Sequence, residues 1–287
     1  MDIPCHNSTT ATLYIIATPI GNLEDMTYRA VRILSEVDLI AAEDTRHSLK
    51  LLSHFGISRS MTSYFDHNKQ FKGERILRAL RQGKSVALIS DAGTPCISDP
   101  GYQLVRDAVA EGIPVVPVPG TSAVVAALSA SGLPTDTFTF AGFPPARQGR
   151  RRTFLAGVST LPGTLVIYEA PHRLLETLSD IREVMGERQV VVARELTKIY
   201  EEFIRGSVSQ VIVAVSLHET VRGEVVLLIA PGDVKPQDSG SLQELLVKLM
   251  ADGLLSIKDV ARQASETAGV SRSEAYAEAL RLRNSND

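Results

Sequence analysis

Apolar runs and amphipathic stretches alternate along the first 120 residues. Leu13–Ala17 (LYIIA) is a short apolar run that stops at the turn-rich Thr18–Asn22. Helical spacing over Thr27–Ser35, Arg46–Phe55, Glu74–Arg81 and Tyr102–Glu111 alternates with strand signals at Asp38–Ala42, Met61–Tyr64, Ser85–Ser90 and Pro114–Val118. This rhythm predicts a largely parallel sheet covered by helices. After Pro119–Ser122 breaks it, Ala123–Ser131 resumes as helix. Strands then fall at Thr137–Ala141, Thr164–Tyr168, Gln189–Ala193 and Glu224–Ala230, with helices at Arg173–Val184 and Val208–Ser216. The second half has longer loops, which places a domain boundary near Gly120.

Residues 234–240 have linker composition. Ser241–Ala251, Ile257–Thr267 and Ser273–Leu282 follow as three short amphipathic helices, and Ser271-Arg272-Ser273-Glu274 reads as a capping box. The expected organisation is a disordered lead-in over 1–12, an N-terminal α/β domain over 13–120, a second α/β domain over 121–233, and a helical module over 241–287.

Bulk properties narrow the class. With 44% hydrophobic and 22% charged residues in 287, the chain is an ordinary globular protein large enough for two cores. No apolar run spans a bilayer, and the polar start is not a secretory signal, so the expected compartment is the cytoplasm. Two cysteines make neither a disulfide framework nor a structural zinc site, which suits a reducing compartment. The net charge of −3 argues against a globally basic protein but leaves room for a local nucleic-acid patch. Dinucleotide and phosphate-loop fingerprints, metalloprotease helices and the nucleophile elbow are missing, and the six histidines have no metal-ligand spacing. No metal site is expected. What remains is seven Gly-, Pro-, Ser- and Thr-rich or polar loops at strand ends, where open α/β sheets gather ligands. Together they predict one composite site between two domains.

The motifs in these loops carry a resemblance. LYIIATPIGNL from Leu13, AEDTR from Ala42, SDAGTPCISDPG from Ser90, PGTSA from Pro119 and GFP from Gly142 resemble the bacterial small-subunit ribosomal RNA ribose 2′-O-methyltransferases, of the tetrapyrrole-methylase-like class. So do YEAPHRL from Tyr168, ARELTK from Ala193, EEFIRG from Glu201 and GEVVLLI from Gly223. The resemblance implies two α/β domains with S-adenosylmethionine in the cleft between them. It also implies 2′-O-methylation of a cytidine ribose in 16S RNA at the decoding centre, and commonly a homodimer.

By resemblance the donor is held by Asp91, Ala92, Gly93, Thr94, Ile97 and Ser122, with Thr18 and Pro19 closing the pocket. Tyr168, Ala193, Val225 and Val226 complete it, although a plain core role for Tyr168 stays open. Asp99 reads as a cap or turn residue before its helix. A 2′-hydroxyl is a poor acid, so a base or a cation beside the alkoxide would help. The candidates are Glu43, Asp44, Glu169, His172, Arg194, Glu195 and Lys198, with Asp44, Arg194, Glu195 and Lys198 in front. An Asp44–Arg46 ion pair is the competing reading there. For RNA, Arg46 and the run Arg147, Arg150, Arg151 and Arg152 offer guanidinium forks that match phosphate. The C-terminal helices read either as an RNA- or dimer-contacting module or as a cap on the domain. The arginine run and the extra helices favour RNA over a tetrapyrrole or other small molecule. Intact polar loops disfavour a non-catalytic ribosome-binding protein.

Overall fold

In the computed structural model, residues 11–65, 69–218, 222–232, 242–251, 255–268 and 270–284 are described. The expected lead-in, save its last two residues, and the linker lie outside them. The described residues up to Ala230 form one compact unit and those from Pro231 onward another.

The first sheet has the order β3-β2-β4-β1-β5, from β1 (Leu13–Ile16), β2 (Leu39–Ala42), β3 (Met61–Ser63), β4 (Val86–Ile89) and β5 (Val115–Val118). Every pairing is parallel. Alternate side chains feed opposite faces, as the two-residue period of a strand requires. Ile16, Ile40, Ala42, Ala87 and Ile89 pack under α1 (Tyr28–Glu36) and α2 (Thr45–His54). Leu13, Ala41, Val86 and Leu88 pack against α3 (Lys69–Arg81) and α4 (Tyr102–Ala110). Burial on both faces is why these strands read as unbroken apolar runs.

The second sheet has the order β6-β7-β10-β8-β9, from β6 (Phe138–Phe140), β7 (Thr164–Glu169), β8 (Gln189–Arg194), β9 (Glu202–Ser207) and β10 (Val225–Ile229). Only β6 and β7 run parallel; the rest is antiparallel. One face packs on α6 (Gln148–Val158), α7 (Leu174–Met185) and α8 (Val208–Ser216) through Leu155, Leu178 and Val211. The other meets α5 (Ala123–Ser131) through Val166, Val191, Ala193, Val226 and Leu228. Ile20, from the loop after β1, joins this last layer and ties the two sheets together.

Two elements went unpredicted. The strand β9 has a half-buried polar sequence with a glycine and no clean alternation. Its following helix is announced by a capping box, with Ser207 and Gln210 bonding each other's backbone N–H groups. The helix α6 begins inside the arginine run, whose low apolar content hid it.

In the second unit, α9 (Leu242–Ala251), α10 (Ile257–Ala268) and α11 (Arg272–Asn284) share a core of Leu246, Val260, Ala264 and Ala279. At the predicted capping box, the Ser271 hydroxyl accepts the Glu274 N–H at 3.2 Å. No helix among the described residues is long and apolar enough to cross a membrane.

Candidate active site

The carboxyl ends of β1, β4 and β5 converge. Thr18 and Gly93 exchange backbone hydrogen bonds of 2.9 Å each, and the Thr18 hydroxyl donates to the Ser90 carbonyl at 3.1 Å. The Thr94 hydroxyl donates to the Thr121 carbonyl at 2.9 Å, and that of Thr121 to the Thr18 carbonyl. Three loops are thus stitched together by hydroxyls and main chain, without a charged side chain.

The loop after Thr94 is wound tightly. Cys96 and Ser98 sit at φ of 72° and 66°, left-handed conformations uncommon for residues other than glycine. Gly101 lies at φ 152°, and a Cβ there would stand 2.4 Å from the Cys96 sulfur. Glycine is needed to return the chain to α4. Such strain clusters where a loop is shaped for a ligand.

This loop forms one wall of a cavity of about 410 Å³. Asp91, Ala92, Gly93, Thr94, Ile97 and Ser122 line it, with Tyr168, Val225 and Val226 opposite. Nine of the twelve residues expected to hold the donor are therefore on its walls. Thr18 is buried behind the wall as a brace, and Ala193 belongs to the apolar layer beneath. Pro19 faces a neighbouring cavity of about 330 Å³, which shares Ile20, Asp91, Ala92 and Glu224 with the first.

Asp99 corrects one expectation. The residue before α4 is Gly101, and no side chain caps that helix. Asp99 instead lines the cavity, where burial pushes its carboxyl above the usual range; a Ser90 hydrogen bond opposes the shift and the Asp91 carboxylate adds to it. Tyr168 is pushed up to about 12, by burial first and then by the carboxylates of Asp99 and Glu224. Its ring meets Phe140 at 4.8 Å and the exposed Phe143 at 5.3 Å between centroids, so an aromatic ledge borders the cavity. Asp99 and Phe143 were missed as site residues because an aspartate before a helix reads as a cap and a lone phenylalanine as core.

The opposite wall is held by charge. Lys198 bridges Glu195 at 2.8 Å and Glu224 at 3.2 Å, while Glu195 accepts the Glu224 N–H at 3.0 Å. Glu195 and Thr197 adopt φ of 50° and 65°. Arg194 is taken by Glu202, at 2.8 and 3.1 Å, and by the Arg222 carbonyl. Gly21 interlocks with this loop: a Cβ there would meet the Lys198 Cγ at 2.4 Å. Glu169 sits in the cavity wall with its carboxylate accepting from the Ala170 N–H, Thr177 and Arg173, at 2.7, 2.5 and 2.6 Å.

Of the leading catalytic candidates, none lines the main cavity. Asp44 caps α2, accepting the Arg46 N–H at 2.8 Å and pairing with its guanidinium at 2.9 Å. Those hydrogen bonds hold its carboxyl down at about 2. Its own N–H donates to Asp91 Oδ1 at 3.1 Å, so its contribution to the wall is a backbone group. Arg194 and Glu195 brace the loop, and Lys198 lines only the neighbouring cavity.

The arginine run divides. Arg151 is fully buried, bonded to Asp180 at 2.6 Å, Glu176 at 3.2 Å and the Ala146 carbonyl at 3.2 Å. Arg152 pairs with Asp180 at 2.7 Å and with Glu183. These two cross-brace α6 and α7 and are not free forks for phosphate. Arg147 and Arg150 remain exposed, and Arg46 is 91% exposed along its side chain despite its pair.

A strand-end cavity with a backbone wall, an aromatic ledge and several carboxylates suits a ligand with a flat ring and a cationic centre. Fold and site together define a methylase of the tetrapyrrole class: the family model described as Tetrapyrrole (Corrin/Porphyrin) Methylases matches residues 12–212. The cobalamin biosynthetic enzyme cobalt precorrin-4 methyltransferase superposes with a TM-score of 0.56 at 19% identity, over 77% of this chain and 95% of that one. At that identity the likeness speaks for the fold. The sequence relatives are much nearer. The "Ribosomal RNA small subunit methyltransferase I" of Pseudomonas aeruginosa is 48% identical over 94% of this chain and 96% of its own. That of Halalkalibacterium halodurans is 51% identical over 76% and 75%. The chain belongs to this ribosomal RNA small subunit methyltransferase I family, within the tetrapyrrole methylases. The methyl donor is S-adenosylmethionine. The carboxylates fit its positive charges and the Tyr168–Phe143 ledge fits its adenine.

Proposed function

We propose that the chain methylates the 2′-oxygen of a cytidine ribose in 16S RNA at the decoding centre of the small ribosomal subunit. The observation that carries this reading is the carboxylate-rich cavity at the strand ends, in a chain of this family. When bound, the donor supplies an electrophilic methyl group on a sulfonium. The backbone of Ala92–Thr94 and of Val225 and Val226 would hold the donor, and Tyr168 and Phe143 would offer aromatic faces to its ring. Asp99 would supply negative charge to a cationic donor in a partly desolvated site, where such an interaction is stronger than in water. The walls would orient donor and acceptor, and orientation of this kind supplies much of the acceleration in methyl transfer. A carboxylate of the cavity wall would accept the proton that the acceptor hydroxyl gives up.

Arg46, Arg147 and Arg150 are the exposed guanidinium groups offered to RNA phosphates. The protein acts in the cytoplasm as a homodimer, as the family resemblance implies.

The test is transfer from methyl-tritiated S-adenosylmethionine to small ribosomal subunits of a strain lacking the enzyme. The expected label is 2′-O-methylcytidine in digested 16S RNA. Label found only in an added porphyrinoid overturns the reading, and so does donor binding with no transfer to either.

A further inference from the structure

The hairpin of β8 and β9 is closed by more chain than closure needs. Arg194 pairs with Glu202 across the ladder, so residues 195–201 make the connection, where about two to five residues ordinarily suffice. Two turns take up the length. The Lys198 N–H donates to the Glu195 carbonyl at 3.0 Å, and the Glu201 N–H to the Lys198 carbonyl at 3.1 Å. Ile199 and Tyr200 are thus the two corner residues of the second turn, positions that ordinarily go to Gly, Pro, Asn, Asp or Ser. They are 94% and 74% exposed. The corner is held firmly from beneath. The Thr197 N–H donates to the Glu201 carboxylate at 2.6 Å, Lys198 is fixed by Glu195 and Glu224, and its stem leaves no room for a Cβ at Gly21. A single exposed apolar residue is ordinary. A β-branched and an aromatic side chain together at the corner of a braced turn are not.

We propose that this turn docks on ribosomal RNA, with Tyr200 stacking on an unpaired base and Ile199 lying against the adjoining nucleotide. The proposal rests on the methyltransferase reading above and adds a contact outside both cavities. Unstacked bases of single-stranded RNA are recognised by aromatic faces, and a turn already held in shape loses little freedom on binding. Cations are placed to take the backbone of the same strand. The cavity of about 330 Å³ that Lys198 lines is also lined by His47 and Lys50 of α2, and the side chains of Arg46 and Lys50 are exposed. A second copy of the chain fits the turn less well. The pair is flanked by the charged Lys198 and Glu201, and two side chains fall far short of the about 1,200–2,000 Å² that a stable protein interface buries.

Tyr200→Ala and Tyr200→Phe test this, through the Kd for small ribosomal subunits of a strain lacking the enzyme, measured by filter binding over a series of salt concentrations. Tyr200→Ala is expected to weaken subunit binding about ten-fold. Because a stacked ring releases no counterion, the slope of affinity against salt should match that of the wild type. Tyr200→Phe keeps the ring and should bind as the wild type does. The melting temperature and S-adenosylhomocysteine affinity of both variants should be unchanged, since the side chain is 74% exposed. Wild-type subunit affinity in Tyr200→Ala overturns the proposal. So does a Tyr200→Phe as weak as Tyr200→Ala, which would assign the contact to the hydroxyl. Dissociation of Tyr200→Ala into smaller species by light scattering overturns it in favour of an interface between copies of the chain. Failure of the wild type to methylate 16S RNA overturns the underlying reading instead.

Discussion

The two halves that face each other across the main cavity are built by different chemistry. The wall from the first sheet uses glycine, threonine hydroxyls and main chain, in the exchange between Thr18 and Gly93 and the donations by Thr94 and Thr121. The second half relies on ion pairs: Arg194 with Glu202, Lys198 with two glutamates, and Arg151 and Arg152 with Asp180. A backbone wall can approach a ligand closely and has fixed donors and acceptors. Charged braces hold mixed strands and helices in register, and their carboxylates need partners to be kept out of water. So in this molecule a cluster of conspicuous charges marks scaffolding, while the first-sheet wall of the cavity is made mostly of inconspicuous residues.

The largest effect should follow from cutting the buried brace. Arg151→Ala strands Asp180 with one fewer cation in a site where both side chains are 1% exposed. Loss of one partner of a buried pair costs about 3–5 kcal/mol. Urea unfolding should show that loss, whereas Arg150→Ala, on the surface, should leave the midpoint unchanged and weaken RNA binding only. Equal stability losses in the two variants would remove the distinction between scaffold and free arginines. Next comes Gly101→Ala in the backbone wall, at φ 152° with the Cys96 sulfur in the way. A strained backbone position of this kind costs about 1–3 kcal/mol, and donor affinity measured by calorimetry should fall with it. If affinity holds while stability drops, the loop is merely a connection.

Most elements of both sheets were legible from apolar runs, because burial on two faces leaves little room for polar residues. The missed pieces had no such signature. In β9 only intermediate burial is imposed, and α6 starts on a run of arginines whose apolar partners come a turn later. The first-sheet wall of the cavity was legible because small residues after a strand have a physical reason to be there. The charged residues misled for the complementary reason. Sequence displays a guanidinium or carboxylate but not its partner, and Arg151 finds Asp180 only when α6 packs on α7. Asp99 errs in the other direction: its position invites a capping role, and only the fold turns it into the cavity.

Asp99→Asn probes that turn and has a smaller expected effect. Because burial raises the Asp99 pKa on folding, the folded state holds the proton more tightly than the unfolded one. Its favourable contribution is complete below the unfolded pKa and disappears as pH rises through the folded value. At neutral pH the ionised group is a cost, so Asp99→Asn should raise the melting temperature there, with the gain vanishing in acid. Donor affinity should fall by about ten-fold, or about 1.4 kcal/mol, through loss of a charge beside the sulfonium. A variant that gains stability and keeps its affinity would place Asp99 away from the cation.

The smallest effect is expected at Asp44, and it separates brace from base. Asparagine also caps helices, so Asp44→Asn keeps the bond to the Arg46 N–H and loses only the charge. In the folded chain the hydrogen bonds from Arg46 depress the Asp44 pKa to about 2, below its unfolded value. Wild type therefore has the benefit of that pair above the unfolded carboxylate range and loses it as pH falls towards the folded value. The two proteins should differ slightly at pH 7 and converge in acid, because the pair is exposed and screened. Turnover should stay within about two-fold, since general-base removal typically costs 10²–10⁴-fold. A collapse of kcat with intact donor binding would put a charged residue back at the reacting oxygen, and the contrast between a backbone wall that binds and a charged wall that braces would not survive it.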